Sequence, residues 1–288
     1  GTYAVFLFGV CALGAGFAIC GGQIAIMMTD FLQGVFCNVA FLVLLIYLLR
    51  IFSWENIFQT LGDEAAAQPG TSLFNPFDTT SIEGFNINFF IIGLFFTVVH
   101  CGSWQGSAGY HAAAKNAHEA KMSRFLGTWR GLIQESLVLF IPICAFTFFH
   151  HPQFAEQAVV VEDAIAQLSI RDAVQQRVPM FLNYVLPTGL VGTFAAVMFA
   201  AMLSTDDTYM HSWGTIFIQD VILPFRKKPF TPKQHLWALR GSILFVAVFA
   251  YIFSYLFKQT EYIMMFMQIT GAIFMGGACA VIIGGLYS

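Results

Sequence analysis

Charge is scarce in this 288-residue chain: only 10% of its residues are Asp, Glu, Lys or Arg. A soluble domain carries roughly 25%. With 58% apolar residues and a mean hydropathy of +0.72, a water-soluble fold could not hide the apolar surface. The net charge of −3 comes with no basic run of the kind nucleic acid would require, which argues against nucleic acid as a partner. There is no CxxC pair. The six cysteines (Cys11, Cys20, Cys37, Cys101, Cys144 and Cys279) fall in or beside apolar stretches, indicating neither a disulfide frame nor a zinc site. HExxH spacing, a DxxD carboxylate repeat and a Ser/His/Asp set are also missing, which argues against a membrane enzyme. His100, His111, His118 and His211 read as interfacial or packing residues. The chain opens Gly-Thr-Tyr inside an apolar run and stops at Gly-Gly-Leu-Tyr-Ser, with no signal-peptide pattern. Truncation at both ends is the expectation.

What is present is apolar length. A membrane helix needs about 20 predominantly apolar residues, and seven segments qualify: about 2–20, 24–49, 86–108, 126–149, 187–222, 237–257 and 262–287. The sequence therefore predicts an all-α polytopic membrane protein, a single transmembrane domain surrounded by lipid. The fifth segment is too long for one straight span and is expected to extend beyond the bilayer at its charged end. Two stretches, 52–85 and 150–186, are expected outside the membrane. The first is turn-rich, with Gln68-Pro69-Gly70 and Asn75-Pro76; the second suggests short surface helices over 159–166 and 170–178. Nine of the 13 basic residues fall between spans three and four (Lys115, Lys121, Arg124, Arg130) or five and six (Arg226, Lys227, Lys228, Lys233, Arg240). The positive-inside rule makes those connections cytoplasmic and the two long loops external.

An ionisable group at bilayer depth is a functional candidate by default. Span five carries the richest set. Ala201, Ser204 and Thr205 are spaced i, i+3, i+4, as are Ser204, Asp207 and Thr208, so they share a helical face. A backbone carbonyl at Ala201, three hydroxyls and a carboxylate suit a hard cation, which takes several oxygen ligands and no soft ones. The same pattern also serves close helix packing, with hydroxyls bonding back to i−4 carbonyls. Packing does not, however, require the adjacent Asp206 and Asp207. Asp30 after Thr29 reads either as an ion ligand or as a helix-start residue. Glu135 beside Gln134 could pair with a basic group, stay protonated or face a substrate. Asp220, near Arg226, reads as structural.

Span three ends Cys101-Gly102-Ser103-Trp104-Gln105-Gly106-Ser107-Ala108-Gly109-Tyr110, a poor continuous helix. It reads as an unwound point of the kind that lines transporter cavities, or as a glycine-capped helix end. The last span carries Gln268 with Gly271, Gly276-Gly277 and Gly284-Gly285, where glycine more often means close packing.

Together these motifs resemble the sodium:solute symporter family. Gly21-Gly22, Ala25, Thr29-Asp30 and Gln33 resemble its GG..AV..TD..Q segment. Ala200-Ala201 with Ser204-Thr205, running to Asp220, resembles its AA..SS/ST helix. Ala113-Ala114-Lys115 with Glu119-Ala120 resembles its AAK...EA loop, and Gly285-Leu286-Tyr287 its GLFW close. The resemblance implies a ten-helix inverted-repeat core, of which this chain is similar to helices four to ten, and sodium-coupled symport of a small organic solute with no cofactor beyond Na+. It also implies a plasma (inner) membrane location. One sodium site is implied at Ala201, Ser204 and Thr205, completed by a core helix absent from this chain. A second is implied at Asp30, Asp207 and Thr208, sharing Ser204. Asp207 departs from the Ser-like residue usual there, consistent with a stronger cation site or a proton-coupled group. Substrate contacts are implied at Trp104 and Gln105, with Gln134 or Glu135 and Gln268 nearby. The sugar-transporting branch carries a Gln-Arg pair where this chain has Gly109-Tyr110. Two other readings stay open: a proton-coupled symporter, and a transporter-like sensor domain joined to a signalling module downstream.

Overall fold

A computed structural model describes residues 1–67, 70–73, 75, 77–82, 86–104, 106, 108–257 and 263–287. Gln105 lies outside the described residues, as do Gln68, Pro69, Pro76 and Ser107 among those singled out above. The described residues are helical almost throughout and contain no strand. In order they form α1 (Thr2–Ile51), α2 (Trp54–Ala67), α3 (Ile87–Ser103), α4 (Ala108–Ala112) and α5 (Ala117–His150). After a short 3-10 turn come α6 (Ala155–Ile165), α7 (Ile170–Val185), α8 (Thr188–Ile216), α9 (Pro232–Leu256) and α10 (Ile263–Tyr287). Five of the helical stretches are long and apolar enough to cross a membrane, and Ile87–His100 is a shorter apolar one. The protein is an all-α polytopic membrane protein.

The 50-residue α1 is not straight. Gly22, at φ 61 and ψ −169, interrupts its helical geometry, and a positive φ costs glycine least. Contacts show how sharp the bend is. A methyl added at Gly14 would meet Asp206 of α8 at 3.4 Å, while Asp30 hydrogen-bonds Ser204 of the same helix. In a straight helix residues 14 and 30 would stand about 24 Å apart, yet both reach one turn of α8. The two legs therefore converge instead of running on in line.

The chain forms two compact units. The first comprises Gly1–Ala40, Trp104–Arg130 and Thr193–Lys258. Its core gathers Cys11, Ala15, Ala18 and Ile26 from α1, Met210 from α8, and Ile243 and Ala247 from α9. Small residues let the helices approach closely. At the α8–α9 crossing, a methyl on Gly214 would stand 2.9 Å from Ile243, and Ser242 Oγ donates to the Gly214 carbonyl at 2.9 Å.

The second unit comprises Phe41–Ser103, Gly131–Gly192 and Gln259–Ser288. An aromatic knot of Phe52, Phe148, Phe154 and Phe181 holds it, with neighbouring rings 5.1 to 5.8 Å apart. The 150–186 stretch is more helical than its sequence suggested: α6 and α7 extend past the two short segments, capped at Ser169, whose hydroxyl accepts from the Asp172 amide. Arg177 ties α7 to Glu162 of α6 at 2.8 Å and lies over the Phe149 ring. The turn-rich stretch 52–85 also contains α2, whose apolar Ile57 and Leu61 are buried at i, i+4 spacing. Elsewhere in this unit α3 packs on α10, and Gly271 leaves room for Phe96, whose ring would stand 2.7 Å from an added methyl. Large apolar side chains are exposed along the long helices, as lipid-facing surfaces require.

Candidate functional site

The first unit brings three elements onto one carboxylate. Asp30, on the second leg of α1, is half-buried. Ser204 Oγ donates to its Oδ1 at 2.5 Å, and Thr208 Oγ1 reaches its Oδ2 at 3.2 Å. Ser204 and Thr208 stand four residues apart on α8, so the helical repeat aims both hydroxyls at the same partner. The third element is α4, whose Tyr110 hydroxyl donates to Asp30 Oδ2 and lies 3.0 Å from Thr208 Oγ1.

Asp207 completes the cluster. It is 3% exposed, within electrostatic reach of Asp30, and its Oδ1 lies 3.4 Å from Thr208 Oγ1. Thr208 has one hydroxyl hydrogen and three acceptors within reach: Asp30, Tyr110 and Asp207. Two carboxylates sharing neutral hydroxyls repel one another, and a cation between them relieves that repulsion. Gln33 follows Asp30 by three residues, and its Oε1 is buried with no hydrogen-bond partner among the described residues. The donor set is oxygen throughout, as a hard cation prefers.

Not every residue of the expected stripe joins this cluster. Thr205 is exposed, and its hydroxyl turns back to the Ala201 carbonyl at 2.9 Å. One residue along a helix is a rotation of about 100°, so Thr205 points away while Ser204 faces Asp30. Asp206 faces the first leg of α1, against Gly14.

The break after α3 is present. Trp104 is non-helical and Gly106 forms a turn before α4. The Trp104 ring folds back over Gly106, where an added methyl would stand 2.6 Å from Nε1, and meets Tyr209 of α8 edge-on at 5.6 Å. Ser212 Oγ donates to the Gly106 carbonyl at 2.7 Å, supplying a partner for backbone that the break frees. Gly109 abuts Gln23, whose Oε1 would stand 2.7 Å from an added methyl. Of the other expected substrate contacts, Gln134 and Glu135 lie exposed on α5 and Gln268 is half-buried on α10. Sequence reading missed the part of Tyr110 in the cluster. Its position in the break was visible, but which residue it meets depends on the bend at Gly22.

Searches among curated proteins and among solved structures each returned no match. The family model for the sodium:solute symporter family matches residues 2–288. Members of that family are transporters, not enzymes, and move solutes across membranes coupled to sodium. That match spans nearly the whole chain, with the bent helix carrying Asp30 and the hydroxyl stripe of α8 inside it, and the chain belongs to the sodium:solute symporter family.

Proposed function

We propose that this chain supplies part of a sodium-coupled symporter for a small organic solute, and that the Asp30 cluster is a sodium site. Asp30 provides the charge, Ser204 and Thr208 neutral oxygens, and Asp207 a second carboxylate. The observation that carries this reading is Asp30 reaching across from α1 to two hydroxyls one turn apart on α8. Ala201 and Thr205, on the adjacent strip of α8, belong in this reading to a separate sodium position completed by other helices of the complete core. Trp104 and Gln105 at the break, with Gln134, Glu135 and Gln268, are assigned to the solute path.

The two legs of α1, with α3, α5, α8, α9 and α10, account for seven crossings, with the basic connections on the cytoplasmic side of the plasma membrane. Sodium and solute bind together near the midplane, and preferential ion binding to the outward-open state couples the sodium gradient to transport.

Uptake of a panel of small organic solutes into proteoliposomes carrying the full-length protein tests this reading. At least one solute should accumulate under an inward sodium gradient and not when potassium replaces sodium. Ser204→Ala combined with Thr205→Ala should remove the sodium stimulation. Uptake that follows a pH gradient and ignores sodium would assign Asp30 and Asp207 to proton coupling instead.

A further inference from the structure

Tyr110 has no counterpart in the ion reading above, yet it occupies the centre of the cluster. Its hydroxyl donates to Asp30 Oδ2 and sits 3.0 Å from Thr208 Oγ1. It therefore takes the place at which a cation would bridge the same two oxygens. A phenol hydrogen on a carboxylate oxygen satisfies that charge much as a cation does, and both cannot use the same lone pairs. We infer that Tyr110 is a latch on the sodium site: phenol and sodium compete for Asp30 Oδ2, so sodium entry releases the short helix α4 that carries Tyr110. This inference rests on the sodium reading of the Asp30 cluster.

The surroundings show what such a release would move. Helix α4 spans only Ala108–Ala112 and follows directly on the break at Trp104 and Gly106. A helix this short has little stability of its own and depends on its contacts. Contacts with α1 and α8 hold the described residues of this segment in the first unit. Gly109 packs on Gln23, Tyr110 bonds Asp30, and Ser212 bonds the Gly106 carbonyl. Gln23 and Asp30 are seven residues apart on α1, two helical turns along one face, so they form a single docking strip. Of these contacts, those of the Tyr110 hydroxyl use atoms that the cation would also use, Asp30 Oδ2 and Thr208 Oγ1. Thr208 assists the exchange. With Tyr110 in place its one hydrogen can turn to Asp207 Oδ1, and once Tyr110 leaves, its oxygen is free to face the cation. The site thus reports its occupancy to the broken segment beside the expected solute path.

Equilibrium binding of 22Na+ to the purified full-length protein, with Tyr110 and with Tyr110→Phe, tests the latch. Phe keeps the ring and removes only the competing hydroxyl. Sodium affinity should rise roughly ten-fold, the order expected when one hydrogen bond to a charged acceptor no longer has to be broken. In the unaltered protein, sodium should also speed deuterium uptake over residues 108–114. In Tyr110→Phe that uptake should be fast without sodium. Unchanged or weaker sodium binding in Tyr110→Phe would overturn the latch, as would sodium slowing exchange over 108–114, because Tyr110 would then be a ligand. If the unaltered protein binds no sodium, the sodium reading fails and the latch with it. Sodium binding that Asp30→Asn abolishes and Tyr110→Phe leaves untouched removes the latch alone.

Discussion

Replacing Asp30 by Asn removes one charge and almost no volume, so its effect can be worked from the geometry. In the sodium-bound state the carboxylate and cation form an ion pair. At 4 Å and an effective dielectric constant of about 20, such a pair contributes about 4 kcal/mol. The Asn carbonyl dipole recovers part of this, and Ser204 and Thr208 can still bond an amide oxygen, more weakly than a carboxylate. Sodium affinity should therefore fall by roughly two to three orders of magnitude. Thermal unfolding of the full-length protein across a sodium titration, with potassium holding ionic strength constant, reads this out. At a sodium concentration about 100-fold above the dissociation constant, the parent protein gains about 2.7 kcal/mol. A 100-fold weaker Asp30→Asn variant gains only about 0.4 kcal/mol at that concentration. Without sodium the variant should differ little in stability from the parent, because losing the repulsion between Asp30 and the buried Asp207 offsets the weaker bonds from Ser204, Thr208 and Tyr110. An equal sodium-dependent shift in both proteins would refute the ion-pair argument.

Other substitutions separate site from scaffold. Phe181→Ala empties the middle of the aromatic knot in the second unit and should cost about 3–5 kcal/mol in detergent thermal unfolding. Gly271→Ala drives a methyl against the Phe96 ring and should cost about 1–3 kcal/mol by the same assay, without altering sodium affinity. Arg177→Ala should cost at most about 1 kcal/mol, since the Arg177–Glu162 pair is nearly half exposed and screened by solvent. Thr205→Ala alone should leave sodium binding at the Asp30 cluster within about two-fold, because its hydroxyl is bonded to its own helix.

The membrane class and the helices followed directly from the sequence, because apolar runs near 20 residues in length dominate it. Charge at depth marked out Asp30 and Asp207 for the same reason: lipid makes such residues costly. Helical spacing put Ser204 and Thr208 on one face, and both hydroxyls reach Asp30. The spacing could not divide the stripe. Ser204 and Thr205 are neighbours in sequence, yet a rotation of about 100° sends one hydroxyl to Asp30 and returns the other to Ala201. The reach of Asp30 to α8 depends on the bend at Gly22, a single φ value that one glycine permits but does not announce. Tyr110 was hidden for a related reason. It sits on five helical residues after a break, where no periodicity indicates direction. Helix α2 lay in a stretch whose turn residues outweighed a short amphipathic pattern.

Whether Asp30 with the α8 hydroxyls holds sodium is decided by equilibrium 22Na+ binding to the full-length protein carrying Ser204→Ala and Thr208→Val together. These changes leave Asp30 in place and remove its two α8 oxygen partners. Binding should be saturable in the parent protein, displaced by unlabelled sodium and not by potassium, and weakened at least ten-fold in the double variant. Parent-like sodium binding in that variant would contradict the sodium reading.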